Sequence, residues 1–317
     1  MMAEINEIAV RVHGLSKSFG SVQAVRDIDL AVAQGEIFGL VGPDGAGKTT
    51  IMRMLAAVLR PDAGEILVDG VDVVAEAERA KLHLSYMPQR FGLYEDLTIA
   101  ENIFFYGALF GVPRGERIAR SQELLEVAGL LPFRRRLAGQ LSGGMKQKLG
   151  LICALIHTPR VLLLDEPTTG VDPVSRRDFW AILYNLRESG VTIVLSTAYM
   201  DEAERCSRLA LLHGGEIRHC DTPQHLKAAM PGALLAIASA HPRDVREAVS
   251  GKPGVLGALL MGDRVHVRVD DAGRRIPELR AVVADRGVAD AVITPAEPGI
   301  EDVFVALLGE EKPHEPR

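Results

Sequence analysis

A nearly continuous apolar run, Ile37–Val41, passes directly into Gly42-Pro43-Asp44-Gly45-Ala46-Gly47-Lys48-Thr49, and a helical pattern follows. Strand, G-x-x-x-x-G-K-(S/T) and helix in that order form a phosphate-binding loop. Its glycines let successive backbone N–H groups turn toward a phosphate, and the helix N-terminus adds partial positive charge. Lys48 has the reach to touch the β- and γ-phosphates of a nucleotide, and the Thr49 hydroxyl suits Mg²⁺. A chance glycine turn would not bring strand, spacing, lysine and threonine together.

A second segment completes the chemistry. Val161-Leu162-Leu163-Leu164 reads as a buried strand that delivers Asp165 and Glu166 to the carboxyl edge of a sheet, where ligands bind in doubly wound folds. Asp165 suits the Mg²⁺ shell. Glu166, one residue on, points differently and can polarise a water for in-line attack on a γ-phosphate. An acidic strand end taken alone is as easily a helix cap or a solvated edge; the phosphate loop upstream favours the functional reading. In Leu141-Ser142-Gly143-Gly144, a serine and two glycines open a helix. Ser142 there is either a plain N-cap or part of a second anion site. One chain cannot bring both sites to the same γ-phosphate from this distance in sequence, but a second copy could.

The pattern is an α/β one. Strands are expected at Ile8–Val12, Ile28–Val32, Glu65–Val68, Leu84–Met87 and Val191–Ser196, with helices from the phosphate loop to about Val58 and over Pro173–Glu188. From about residue 90 to residue 158 the periodicity is mostly helical. A composition shift at Asp221-Thr222-Pro223 suggests a linker over 221–231. A small β-α-β-β-α-β unit over 232–308 follows, with a helix at Pro277–Arg286, a strand at Ala289–Thr294 and a closing helix at Ile300–Leu308. The charged segment 309–317 is expected to be a disordered tail.

Net charge is −6 with 25 % charged residues, which speaks against an electrostatic nucleic-acid binder. Cys153, Cys206 and Cys220 lack metal or disulfide spacing and read as reduced thiols. No stretch approaches the roughly 18–20 apolar residues of a membrane helix. The N-terminus, with Glu4 and Glu7, lacks a signal pattern. Any work at a membrane is therefore expected to go through a partner.

These segments together resemble the ATP-binding cassette ATPases over roughly residues 7–220. Leu141–Gly144 is similar to that family's signature, Gln89 after Ser85-Tyr86-Met87-Pro88 to its glutamine loop, and Thr169–Asp172 to the loop that crosses between monomers. Phe19 falls where the family stacks a ring on adenine. The resemblance implies a P-loop NTPase cassette, with a RecA-like core, an antiparallel β subdomain and a helical subdomain, followed by a small α+β domain. It implies that two cassettes, in a homodimer by expectation, enclose two ATP. ATP and Mg²⁺ would be held by Phe19, Gly42, Asp44, Gly45, Ala46, Gly47, Lys48, Thr49 and Thr50, with Ser142, Gly143, Gly144 and Asp172 completing the site. The metal set would be Thr49, Gln89 and Asp165, and the catalytic set Glu166, Lys48 and Gln89.

Glu297–Phe304 and Val194–Glu204 resemble the drug-resistance exporter branch, which implies a separate integral membrane permease of the ABC-2 type and a place at the cytoplasmic face of the membrane. Two departures stand out. Asp44 replaces the family's usual asparagine, and Ala198 occupies the slot of its switch histidine. Alanine cannot hydrogen-bond a γ-phosphate, so hydrolysis is expected to be slow or partner-dependent, with Thr197 or Tyr199 as substitutes. A soluble cassette factor and a degenerate nucleotide-gated subunit are the competing readings. Arg134-Arg135-Arg136 reads as a solvated loop or a partner contact, and Trp180 as core.

Overall fold

The computed structural model describes residues 8–288 and 290–308, the side chain of Leu308 excepted. The chain divides into two compact units at Cys220/Asp221.

In the first unit, β1 (Ile8–Phe19) and β2 (Val22–Ala33) form a long antiparallel hairpin, reaching well beyond the short alternating stretches expected from sequence. Strand β3 (Ile37–Val41) leads through the glycine loop into α1 (Lys48–Leu55). That helix stops short of Val58 because Ala57 adopts φ 55°, where a right-handed helix cannot continue. Next come β4 (Ala63–Val68), β5 (Val71–Asp72), α2 (Ala77–Ala80) and β6 (Leu84–Met87). The helical stretch holds α3 (Ile99–Leu109), α4 (Arg114–Val127) and α5 (Gly143–Leu155). A capping box between Thr98 and Glu101 starts α3. Strand β7 (Val161–Asp165), α6 (Pro173–Glu188), β8 (Thr192–Thr197), α7 (Met200–Ala203), β9 (Arg208–His213) and β10 (Glu216–Asp221) follow.

Two sheets result. One is four-stranded, ordered β2-β1-β4-β5; the other is six-stranded, ordered β10-β9-β3-β8-β7-β6. In the larger sheet β3 pairs in parallel with β8 and β9, and β7 with β6 and β8. Both faces of this sheet are covered. Val161 and Leu163 enter one core cluster, whereas Leu162 and Leu164 enter the other. That explains why the strand reads as continuously apolar rather than alternating. Full burial of such side chains contributes roughly 1.5–3 kcal/mol each, and it fixes Asp165 at the rim of the sheet.

The second unit begins with α8 (Pro223–Ala228), which occupies most of the segment expected to be a linker. The correction has a local cause. Thr222 accepts the N–H of His225 as an N-cap, and Pro223 sits at the first helical position, where its missing N–H costs nothing. Then come β11 (Ala233–Ala238), α9 (Pro242–Val249), β12 (Val255–Met261), β13 (Arg264–Val269), α10 (Ala272–Asp285), β14 (Val292–Ala296) and α11 (Ile300–Leu308). The antiparallel order β12-β13-β11-β14 is that of a split βαβ sandwich. Helix α10 begins at Ala272 under an Asp271 cap rather than at Pro277, and Pro277 lies inside it. The last strand sits at Val292–Ala296, later than Ala289–Thr294. Residues 309–317, expected to be a tail, lie outside the described residues.

Candidate functional site

The glycine loop is shaped by close backbone approaches. A Cβ on Gly42 would lie 2.5 Å from the Leu212 carbonyl oxygen; one on Gly47, at φ +103°, would lie 2.5 Å from that of Ala24. Gly47 stands at the N-cap of α1 without a side-chain cap, so the first-turn N–H groups keep no side-chain partner of that kind. The Lys48 side chain is only 4 % exposed, and its ammonium donates to the carbonyls of Gly42 (2.8 Å) and Pro43 (3.1 Å) and lies 3.2 Å from Glu166 Oε1. Asp44 is exposed at the loop, Ala46 is buried beneath it, and Thr50 is half-buried on α1.

The end of β7 faces this loop. Asp165 Oδ1 accepts the hydroxyls of Ser196 (2.6 Å) and Thr49 (3.1 Å), and its Oδ2 accepts the Tyr86 hydroxyl at 3.2 Å. Burial, and then the Asp165 charge, push the Tyr86 phenol up to about 12, so it stays a donor through the neutral range. Glu166 turns out of the strand at φ 48°, a left-handed conformation that costs a glutamate roughly 1–3 kcal/mol. Its N–H is anchored on the Ser196 carbonyl and hydroxyl. The two carboxylates take different partners: Glu166 Oε2 accepts Gln89 Nε2–H (3.0 Å) and the Thr169 hydroxyl (3.4 Å). Lys48, Thr49, Gln89, Asp165 and Glu166 thus converge on one spot. Ser196 and Tyr86 belong to it as well; sequence reasoning missed both, because each reads as an ordinary strand residue.

The remaining expected residues lie elsewhere. Ser142 is an N-cap, accepting Met145 N–H at 3.3 Å, and it is exposed together with Gly143. Gly144 is buried, and a Cβ there would lie 2.4 Å from Cβ and Oγ of Ser175 in the first turn of α6. Packing of α5 on α6 therefore requires this glycine within the single chain. Gly144→Ala is expected to cost about 1–3 kcal/mol in a denaturant melt, and Ser175→Gly in the same chain to restore most of it. Asp172 caps α6 by accepting Val174 and Ser175 N–H, and these bonds, that of Ser175 foremost, hold its exposed carboxyl below the usual range. Phe19 ends β1 with 51 % of its surface exposed and Lys17 Nζ 5.7 Å from its ring centre.

Ala198 is exposed. The substitutes considered for it are occupied. The Thr197 hydroxyl donates to Glu202 Oε2 (2.7 Å) and accepts Tyr199 N–H (3.0 Å), and the Tyr199 ring lies against the Arg176 guanidinium, 4.3 Å away. The expectation that Thr197 fills the histidine's place is thereby corrected. Glu166 is held instead by Lys48, Gln89 and Thr169.

Residues 25–169 match the family described as ABC transporter. Over 313 residues the chain is 42 % identical to the probable multidrug ABC transporter ATP-binding protein YbhF of Escherichia coli (strain K12), covering 96 % of this chain and 53 % of that protein. The chain thus spans about half of that relative's length. With the daunorubicin resistance ATP-binding protein DrrA3 of Streptomyces coeruleorubidus it shares 34 % identity over 309 residues, 96 % of this chain and 98 % of that one. Among solved structures, the dimeric post-hydrolysis state of the ATP-binding cassette MJ0796 bound to ADP and Pi superposes with a TM-score of 0.61 at 27 % identity, covering 67 % of this chain and 98 % of that one. Identity at the level of DrrA3, sustained over nearly the whole of both chains, places this protein among the ATP-binding subunits of ABC transporters.

Proposed function

We propose that this chain hydrolyses Mg-ATP as one of two cassettes that close on two nucleotides and drive an export permease of the ABC-2 type. The observation that carries the reading is the convergence of Lys48, Thr49, Gln89, Asp165 and Glu166 at the carboxyl edge of the parallel sheet.

Lys48 spans the phosphate loop and the base. An arriving γ-phosphate competes for its ammonium and releases Glu166 Oε1, which then takes a proton from the attacking water. Gln89 and Thr169 keep the other carboxylate oxygen fixed, so the base stays aimed without a switch histidine. The hydroxyl of Thr49, the carboxylate of Asp165 and the amide of Gln89 are hard oxygen donors that fit Mg²⁺, an ion that takes one or two carboxylates plus phosphate oxygens rather than an all-protein cage. Bound there, it would neutralise charge on the β- and γ-phosphates.

The exposed Ser142–Gly143 turn supports a second copy as the other half of each ATP site, with Asp172 and the segment before it at the crossing. Homologues named for drug resistance support export. Among the described residues no helix is long and apolar enough to cross a membrane. The exposed rings of Tyr94, Phe104 and Phe105, on and just before α3, offer an apolar surface for the permease. By that contact the chain would sit peripherally at the cytoplasmic face.

Ala198 favours a second reading, a nucleotide-gated subunit with little turnover. Steady-state phosphate release by the purified chain decides between them, with Ala198→His alongside. The exposed position accepts the ring without a core clash. The hydrolysis reading expects measurable wild-type turnover and a gain of about tenfold or less in Ala198→His, the scale of one added hydrogen bond. A silent wild type that gains turnover only in the variant supports the gated subunit.

A further inference from the structure

Glu202 is 1 % exposed, on the short helix α7, and its carboxylate is an acceptor for three separate elements. Oε1 accepts the Thr168 hydroxyl, and also Trp180 Nε1–H at 3.2 Å; Oε2 accepts the Thr197 hydroxyl at 2.7 Å. Arg176 of α6 lies against it, with Nε 3.9 Å from Oε1. A buried carboxylate is costly unless hydrogen-bonded and paired, and here both conditions are met.

The donors matter for where they sit. Thr168 lies two residues after Glu166, in the segment that runs to Asp172. Thr197 lies one residue before Ala198, and its carbonyl accepts the N–H of Gly42, the first residue of the phosphate loop, at 3.4 Å. Trp180 belongs to the helix that Asp172 caps. One side chain therefore ties the base segment, the strand end beside the phosphate loop and the crossing segment into a single block.

We infer that Glu202 is a positioning residue of the hydrolysis site, the buried pin that holds Glu166 in register with the phosphate loop in a chain whose switch-histidine slot carries alanine. The inference rests on the hydrolysis proposed above. It assigns Glu202 no contact with nucleotide. Loss of the pin lets the base segment and the Thr197–Tyr199 turn drift apart, and displacements of about an ångström can cost on the order of a hundredfold in rate.

Glu202→Gln and Glu202→Ala in the full chain test it, with three readouts. Trp180 N–H can only donate, so in Glu202→Gln the amide oxygen stays on the Trp180 and Thr168 side and the NH₂ meets Thr197. The expected result is a kcat about tenfold lower in Glu202→Gln and about a hundredfold lower in Glu202→Ala, with KM for ATP within about threefold of wild type, since the phosphate loop itself is intact. Trp180 is the chain's one tryptophan, so its emission reports the pin directly. Emission is kept in Glu202→Gln and shifted in Glu202→Ala. Amide hydrogen exchange should rise in both the 168–172 and 197–203 segments of Glu202→Gln while the α1 amides stay protected.

A kcat within about twofold of wild type in both variants, or a loss that merely follows the melting temperature, would overturn the assignment. If Glu202→Ala does not fold, Glu202→Gln carries the test alone. A wild-type chain without turnover would instead defeat the hydrolysis reading. Exchange then decides the pin: unchanged protection in either segment of Glu202→Gln rejects it, and a joint rise upholds it.

Discussion

Gly47→Ala is expected to abolish ATP binding and to lower the melting temperature of the first unit by several degrees. Two independent costs combine. At φ +103° an alanine is strained by roughly 1–3 kcal/mol, and its Cβ would also stand 2.5 Å from the Ala24 carbonyl oxygen, a backbone atom that cannot swing aside. Relief requires moving β2 or the start of α1, and either shift displaces the loop N–H groups from a phosphate. Titration with a fluorescent ATP analogue should show affinity reduced by about a hundredfold or more, equivalent to about 2.7 kcal/mol or more. Gly115→Ala is the matched control. Gly115 is the second residue of α4 with open space around the added methyl group, so it should be neutral or stabilising by up to about 1 kcal/mol. Equal effects at the two sites would mean that the tight loop has no special role.

Glu166→Gln is expected to remove turnover while leaving ATP bound. Glutamine is isosteric, inherits the same left-handed backbone at φ 48°, and can still meet Gln89 and Thr169. It cannot take a proton from water, and loss of a positioned general base costs about 10²–10⁴-fold. It also removes the negative partner 3.2 Å from the Lys48 ammonium, which leaves that charge free for phosphate. Binding should therefore be equal to wild type or tighter, and Mg-ATP should accumulate on the chain. Single-turnover phosphate release beside equilibrium binding separates the two effects. Turnover within about tenfold of wild type would move the base to another residue.

The phosphate loop and the acidic strand end were legible because each is contiguous. An apolar run reports a strand covered on both faces, and the residues that follow it report what that strand delivers. What escaped the sequence was assembled from afar. Ser196 and Tyr86 became ligands of Asp165 only through parallel pairing of β7 with β8 and β6. The partners of Glu202 come from residues 168, 180 and 197, and nothing in the local pattern around Met200–Ala203 announces a buried carboxylate. Two proline-containing segments differ from their sequence readings for opposite reasons. The composition shift at Asp221-Thr222-Pro223 reads as a linker, although a proline behind a threonine cap starts a helix. Pro277 reads as a helix start, although α10 already runs from Ala272 under the Asp271 cap and gives up one backbone bond to carry the proline. Ala198 brings no hydrogen-bonding group, and of the two neighbours that the sequence offers in its place the Thr197 hydroxyl is committed to the interior and the Tyr199 ring lies on Arg176.

The measurement that bears most directly on the central claim is steady-state ATP hydrolysis per chain, followed as the concentration of the purified protein is raised. If each ATP lies between Lys48 of one copy and Ser142–Gly144 of another, activity per chain rises with concentration toward a plateau and is absent in Glu166→Gln. Activity per chain that stays flat down to high dilution, or that survives in Glu166→Gln, would contradict a two-copy motor built on this site.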